Sequence, residues 1–173
     1  LPKRRFYSLL TKIPYEKDVD MLSEGAKRKF YTGDFSRVSP VIRSIEYFIE
    51  SNKLKIEAKN ILIVGFGALV GKPISFYLEK QGAKVRITEN YSPDKVGSES
   101  LIVLSSDVPN LVNGEDLPEG CNVIDFGSSV LNGKTVGNLD MNSDTSRLGI
   151  VSPSPGGMGP LVVRFLLMNH LGI

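Results

Sequence analysis

Gly65, Gly67 and Gly71, set directly after a short apolar run, are the residues of this chain whose type and spacing point most clearly to ligand chemistry. Lacking a Cβ, they let the backbone turn tightly and come close to a ligand where a helix begins. A helix start offers unpaired N–H groups and the positive end of a dipole, which together hold a pyrophosphate. The spacing is G-x-G-x-x-x-G rather than G-x-G-x-x-G, so the triplet also fits a strand–helix turn with no ligand. Glu89, at the end of the next apolar run, adds a second component. In a dinucleotide fold a carboxylate there accepts hydrogen bonds from the adenosine ribose hydroxyls, and it repels the extra phosphate of the phosphorylated cofactor. No Arg lies in the glycine turn, and strand alternation puts Arg86 on the face opposite Ile87. The residues favour NAD over NADP. The other interpretation of Glu89 is an exposed carboxylate at a strand end.

Ser152-Pro-Ser-Pro-Gly-Gly-Met-Gly-Pro160 is a second unusual segment. Its prolines fix φ, and Gly156, Gly157 and Gly159 leave backbone groups with little side-chain bulk over them, a wall against which a flat ring can lie. The segment also fits a plain strand-to-helix connection with Pro160 in the first turn.

These residues need elements to position them. The apolar runs predict strands at 60–64, 84–88, 101–105 and 122–126, with short edge strands near Val136 and at 149–152. Helices are expected over 69–81 and from Leu161 to Asn169, with Gly82 just past the first of them. Ser39 and Pro40 look like an N-cap and first helical residue, and Val41, Ile42, Ile45, Phe48 and Ile49 follow at helical spacing, so 40–52 reads as an amphipathic helix. A short helix is expected over Phe6–Leu10. Strand–helix alternation implies an α/β architecture: a Rossmann-like, mostly parallel sheet flanked by helices, with a partial N-terminal helical segment.

The 173 residues are 41% hydrophobic and 23% charged, as in an ordinary globular chain, and can bury one good core. A formal charge of +2 argues against nucleic acid or an anionic membrane as partner, and Lys3-Arg4-Arg5 and Lys27-Arg28-Lys29 read as solvated surface. Cys121 is the only cysteine, which excludes an internal disulfide and a cysteine-based metal cage and fits a reducing cytoplasm. No metal site is expected. His170, near the C-terminus, reads as a helix-end cation. The chain opens on Leu1-Pro2 without an initiator Met and is read as a fragment or processed piece.

Five motifs, in order, resemble the methylenetetrahydrofolate dehydrogenase/cyclohydrolase family. Pro155-Gly-Gly-Met-Gly-Pro160 is similar to its Pro-Gly-Gly-Val-Gly-Pro turn, and Val64-Gly-Phe-Gly-Ala-Leu-Val-Gly-Lys-Pro73 to its nucleotide loop. Lys17-Asp-Val-Asp-Met21 resembles Lys-Asp-Val-Asp-Gly, Val123-Ile-Asp-Phe-Gly127 resembles Val-Ile-Asp-Val-Gly, and Gly137-Asn-Leu-Asp140 resembles Gly-Asp-Val-Asp. The resemblance implies hydride transfer from 5,10-methylenetetrahydrofolate to a nicotinamide dinucleotide, followed in many members by hydrolysis of the methenyl product to 10-formyltetrahydrofolate. It also implies a homodimer. By motif, Asp20 would hold the pterin, Pro155, Gly156 and Gly157 would line the folate cleft, and Gly65, Phe66, Gly67, Val70, Asn90 and Ser128 would contact the dinucleotide. Residues 1–38 would then be the remnant of a folate-binding catalytic domain, and 39–173 a dinucleotide-binding domain whose last helix, 160–170, packs back toward the N-terminal part. From the residues alone, Asp18 competes with Asp20, because an extended segment puts both on one face.

Departures from the family pattern are specific. Its Gly-Arg-Ser loop is Gly65-Phe66-Gly67 here, and its His-Ser after the second strand is Glu89-Asn90, two changes that favour NAD. Its Ala-x-Gly-x-Pro is Ser105-Ser-Asp-Val-Pro109, which puts Asp107 where a glycine lets the nicotinamide half approach, and its Pro-Cys-Thr-Pro is Arg37-Val-Ser-Pro40. The family's Tyr-x-x-x-Lys, whose lysine does the acid–base work of the hydrolytic step, has no counterpart here by motif, so little cyclohydrolase activity is expected of these residues alone.

Overall fold

The computed structural model describes residues 9–173. Leu1-Pro2, the basic cluster at 3–5 and most of the helix expected over 6–10 lie outside that range. The apolar runs become β1 (Asn60–Val64), β2 (Lys84–Thr88), β3 (Leu101–Leu104) and, after the short β4 (Val112–Asn113), β5 (Asn122–Asp125). A hairpin of β6 (Ser129–Leu131) and β7 (Lys134–Val136) follows, then β8 (Leu139–Asp140) and β9 (Val151–Ser152). The main sheet is parallel throughout, in the order β2-β1-β3-β5-β9, while β4 pairs with β8 apart from it. Val136 therefore lies in a separate antiparallel hairpin, not at an edge of the main sheet.

Alternation along β1 explains why its residues are all apolar. Ile61 and Ile63 enter one core with Val103 and Ile124, whereas Leu62 and Val64 enter the other with Ile102, Leu104 and Val123. Complete burial of each such side chain contributes about 1.5–3 kcal/mol. The first core is roofed by residues of α1 (Glu24–Tyr31), α2 (Pro40–Ser51), α3 (Gly71–Lys80) and α4 (Met158–Leu171). No helix covers the second core among the described residues. Tyr91, Val96, Leu111 and Leu117 from the connections, with Val112 and Leu139, supply the apolar cover there.

Ser39 caps α2 by accepting from the Ile42 N–H at 3.4 Å, with Pro40 in the first turn, and Ser23 caps α1 by accepting from the Ala26 N–H at 3.2 Å. Two helix starts differ from expectation. Residues 68–70 form a turn, so α3 begins at Gly71 rather than 69. α4 begins at Met158, ahead of Leu161, because a proline in the first turn forfeits no helical hydrogen bond. α4 packs on α2, where the Arg43 guanidinium lies 4.9 Å from the Phe165 ring centroid and donates to Asn169 Oδ1 at 2.9 Å. The Asn169 amide in turn donates to the carbonyls of Val19 at 2.9 Å and Val38 at 3.1 Å, tying the last helix to the N-terminal segment. No helix of the described residues is long and apolar enough to cross a membrane.

Candidate functional site

Strand order reverses between β1 and β3: β1 is followed in sequence by β2 on one side and then by β3 on the other. In open α/β sheets that switch point opens a crevice at the carboxyl ends of the strands. Here the register aligns Val64 with both Thr88 and Leu104, so the loops that follow the three strands emerge level. The glycine turn occupies this point. Gly65 has φ +94°, and a Cβ on it would stand 2.6 Å from the Ser105 carbonyl oxygen. A Cβ on Gly71 would stand 2.1 Å from the Gly65 carbonyl oxygen. Both positions therefore require glycine for backbone packing alone. Ser105 closes the contact, its hydroxyl donating to the carbonyls of Val64 and Gly65 at 3.1 Å each.

Gly67 differs from its neighbours, with nothing within 4 Å of the space a Cβ would fill. Phe66 beside it is 39% exposed. No side chain caps α3 after Val70, in contrast to α1 and α2. An open loop leading to an uncapped helix start is an arrangement that a phosphate group fits. The turn is also joined to β2, because the Gly65 N–H donates to the Thr88 carbonyl at 2.8 Å. Glu89 and Asn90 follow at once, both exposed. Two cations close in sequence have partners: Arg86 binds the buried Glu99 carboxylate and the Lys95 carbonyl, and the Lys95 ammonium donates to the Asn90 carbonyl.

Across the crevice, the loop after β3 is held by a buried network. The Asn138 side chain accepts from the Ser106 N–H at 2.8 Å and donates to the carbonyls of Ser106 at 3.1 Å and Val108 at 2.7 Å. The Asp125 carboxylate accepts from the N–H groups of Gly127 at 2.7 Å and Leu139 at 2.9 Å. Burial pushes the Asp125 carboxyl above the usual range, against the pull of those N–H groups. Asp107, between the clamped residues, is exposed, and its carbonyl accepts from Ser129 Oγ at 2.8 Å. Ser128 is exposed just ahead of the hairpin.

A cavity of about 230 Å³ adjoins the segment that leads from the glycine turn into α3. Ala68, Leu69, Val70 and Pro73 wall it from the turn, and Asp20, Lys27 and Tyr31 wall it from the N-terminal segment. The segment around Asp20 is not extended: a 3-10 turn over Tyr15–Lys17 leads into further turns, and the two aspartates separate. Asp18 is buried and accepts from the Leu22 and Ser23 N–H groups at 2.9 and 2.7 Å, a loop-holding role. Asp20 is the aspartate that faces the cavity, its carboxyl held above the usual range by burial and then by the Asp18 charge. Pro155 and Gly156 are exposed and Gly157 is the N-cap of α4, but none of the three lines this cavity. α4 reaches it through Val162. Lys27 reads in sequence as solvated surface with Arg28 and Lys29, but only those two are exposed, whereas Lys27 is half-buried at the cavity; Tyr31, four residues on, shares its helix face only once α1 is known.

The family description "Tetrahydrofolate dehydrogenase/cyclohydrolase, NAD(P)-binding domain" matches residues 40–173. The chain belongs to this family. It is 33% identical over 162 residues to the bifunctional protein FolD of Hydrogenobaculum sp. (strain Y04AAS1), covering 90% of this chain and 58% of that one. Among solved structures, the bifunctional FolD methylenetetrahydrofolate dehydrogenase/cyclohydrolase of Campylobacter jejuni superposes with a TM-score of 0.88 at 25% identity, over 96% of this chain and 61% of that one. The Trypanosoma brucei FolD, solved with NADP and an inhibitor, superposes with a TM-score of 0.87 at 26% identity, over 98% and 62% of the two chains. The present chain thus spans about three fifths of the length of these FolD proteins.

Proposed function

We propose that this chain is the dinucleotide-binding portion of an NAD-preferring 5,10-methylenetetrahydrofolate dehydrogenase. The observation that carries the proposal is the path of one loop. Gly65, Phe66 and Gly67 lie at the β1/β3 switch point, and Ala68, Leu69 and Val70, which follow them directly, wall the cavity that Asp20 lines. Hydride transfer needs cofactor and substrate rings in contact, and one continuous segment that passes from the switch point to the cavity would bring two ligands to one boundary. A bound nicotinamide dinucleotide would accept the hydride released when a C–H bond of the substrate's methylene bridge breaks, leaving the methenyl cation.

The roles of the chain's own residues follow from their chemistry. Gly65, Gly67 and Val70 shape the loop against the diphosphate, and Phe66 covers it with a ring in place of the family's arginine. Glu89 accepts from the adenosine ribose hydroxyls, with Asn90 and Ser128 at the margins of the same groove. Asp20 accepts from pterin ring N–H groups, and Pro155, Gly156 and Gly157, which do not line the Asp20 cavity, would meet the folate beyond it. With Arg86 paired to Glu99, a ribose phosphate would meet the Glu89 carboxylate without that guanidinium to balance it. The test is the absorbance of reduced cofactor on mixing the chain with methylenetetrahydrofolate and NAD. Reduction of NAD that exceeds reduction of NADP supports the proposal. A folded chain that binds NAD and does not reduce it would favour a second reading, a non-catalytic binding module of the same family. Asp107 argues for that reading, because it places a carboxylate where the nicotinamide half must approach.

A second copy of the chain is the proposed partner. Val130 is 75% and Leu131 41% exposed on the β6–β7 hairpin, an apolar tip of the kind that a symmetric partner covers.

A further inference from the structure

Asp20, Lys27 and Tyr31 bring a carboxylate, an ammonium and a phenol to one cavity whose other walls are largely apolar, including Leu69, Val70 and Phe30. Among the described residues none of the three side-chain heads makes a hydrogen bond, and no ion pair joins Asp20 to Lys27. Half-buried polar groups left without partners beside apolar walls are disfavoured unless a ligand or water completes them. Opposite charges that line one cavity without touching suit a ligand that bridges them. The cavity, about 230 Å³, is smaller than the ~300–1,000 Å³ that encloses a drug-sized molecule, so it holds one flat ring system.

Lys27 is also firmly placed. It sits on α1, which is capped by Ser23 and anchored by the buried Phe30, whose ring packs 5.2 Å from Tyr31 and 5.6 Å from Phe76. Tyr31 in turn packs 5.1 Å from Phe76 and lies under the Lys72 ammonium at 5.5 Å. Side chains on such a helix can hold a ligand edge with little reorganisation.

We propose that Lys27 is a specificity-determining residue of this cavity, donating to a ring carbonyl of a heterocycle whose neighbouring N–H groups are held by Asp20. The occupant is then a cyclic amide with an amino-substituted edge, carrying a carbonyl acceptor at the position that faces Lys27. Tyr31, on the same helix face, closes the ring's side. The inference rests on the folate cleft proposed above and adds a residue to it that no family motif marks.

Calorimetric titration with a 2-amino-4-oxopteridine and with the corresponding 2,4-diaminopteridine tests it, since the second replaces the carbonyl acceptor with a donor; it also loses the N3–H that faces Asp20, so the share due to Lys27 is read from the Lys27 variants. The chain is expected to favour the oxo compound by about tenfold or more, the size of a charged hydrogen bond lost against an unpaired group. Lys27→Met should reduce that preference severalfold, leaving only the part due to the Asp20 contact, and Lys27→Arg should keep most of it. Asp20→Asn should weaken both compounds. A severalfold reduction of the preference in Lys27→Met with Asp20-dependent binding intact supports the proposal. A preference unchanged in Lys27→Met, or equal weakening of both compounds, overturns it while leaving the folate cleft standing. Failure of the unsubstituted chain to bind either compound overturns both.

Discussion

Glu89 determines the charge met by whatever binds beside the glycine turn. It follows β2 at the point where the Gly65 N–H holds the Thr88 carbonyl, and it is exposed. Of the neighbouring cations, Arg86 is paired with Glu99, while the Lys95 ammonium is held at the Asn90 carbonyl, next to Glu89. Glu89→Arg should therefore raise affinity for NADP relative to NAD by about tenfold, since a guanidinium donates a charged pair of hydrogen bonds to a phosphate where a carboxylate repels it. Parallel titrations of the two cofactors measure the ratio, and an unchanged ratio would remove Glu89 from the ribose site. The two N-terminal aspartates show why residue type does not fix role. Asp18 is consumed by the backbone N–H groups of its own turn, whereas Asp20, two positions on, has its carboxyl facing a cavity.

Between elements, the crevice depends on the network that joins β5 to β8 and to the loop after β3. Asp125 accepts two backbone N–H groups, and a Cβ on Gly137 would stand 2.1 Å from its Oδ2. Asp125→Asn puts an NH₂ group against one of those N–H donors, so it should destabilise the fold by about 1–3 kcal/mol. A urea unfolding midpoint lowered without a change of slope would report this, and an unshifted midpoint would show the network to be dispensable. The strands of the main sheet were legible in sequence, whereas the two- and three-residue β4, β6 and β8 were not. The run Ile61–Val64, bounded by glycine at Gly65, admits a buried strand and little else. α1 was not, because its buried face is only Ala26 and Phe30 within a polar, lysine-rich stretch that includes Gly25. Its stability comes from aromatic packing on Phe35 and Phe76, which adjacency in sequence does not reveal. For the same reason the Asp20–Lys27–Tyr31 cavity was not legible, although Asp20 itself was marked by motif. The glycine turn is a mixed case: its place before a helix was clear, but the need for glycine at 71 comes from the Gly65 carbonyl, a contact made only when the turn folds.

At the scale of the molecule, helices cover one face of the sheet, and connecting segments with two short strands cover the other. That asymmetry leaves the strand ends and the β6–β7 hairpin as the open surfaces. A chain that pairs through the hairpin should sediment as a dimer, and Val130→Asp should return it to the monomer mass without loss of helical signal. A monomer at all concentrations would exclude the proposed partner. The central claim is that the turn at 65–71, read together with Glu89, is an NAD site. Calorimetric titration of the folded chain with NAD and with NADP tests it most directly. Saturable NAD binding, tighter than NADP by about tenfold, is the expected result; NADP binding as tight or tighter, or no heat with either cofactor, would contradict it.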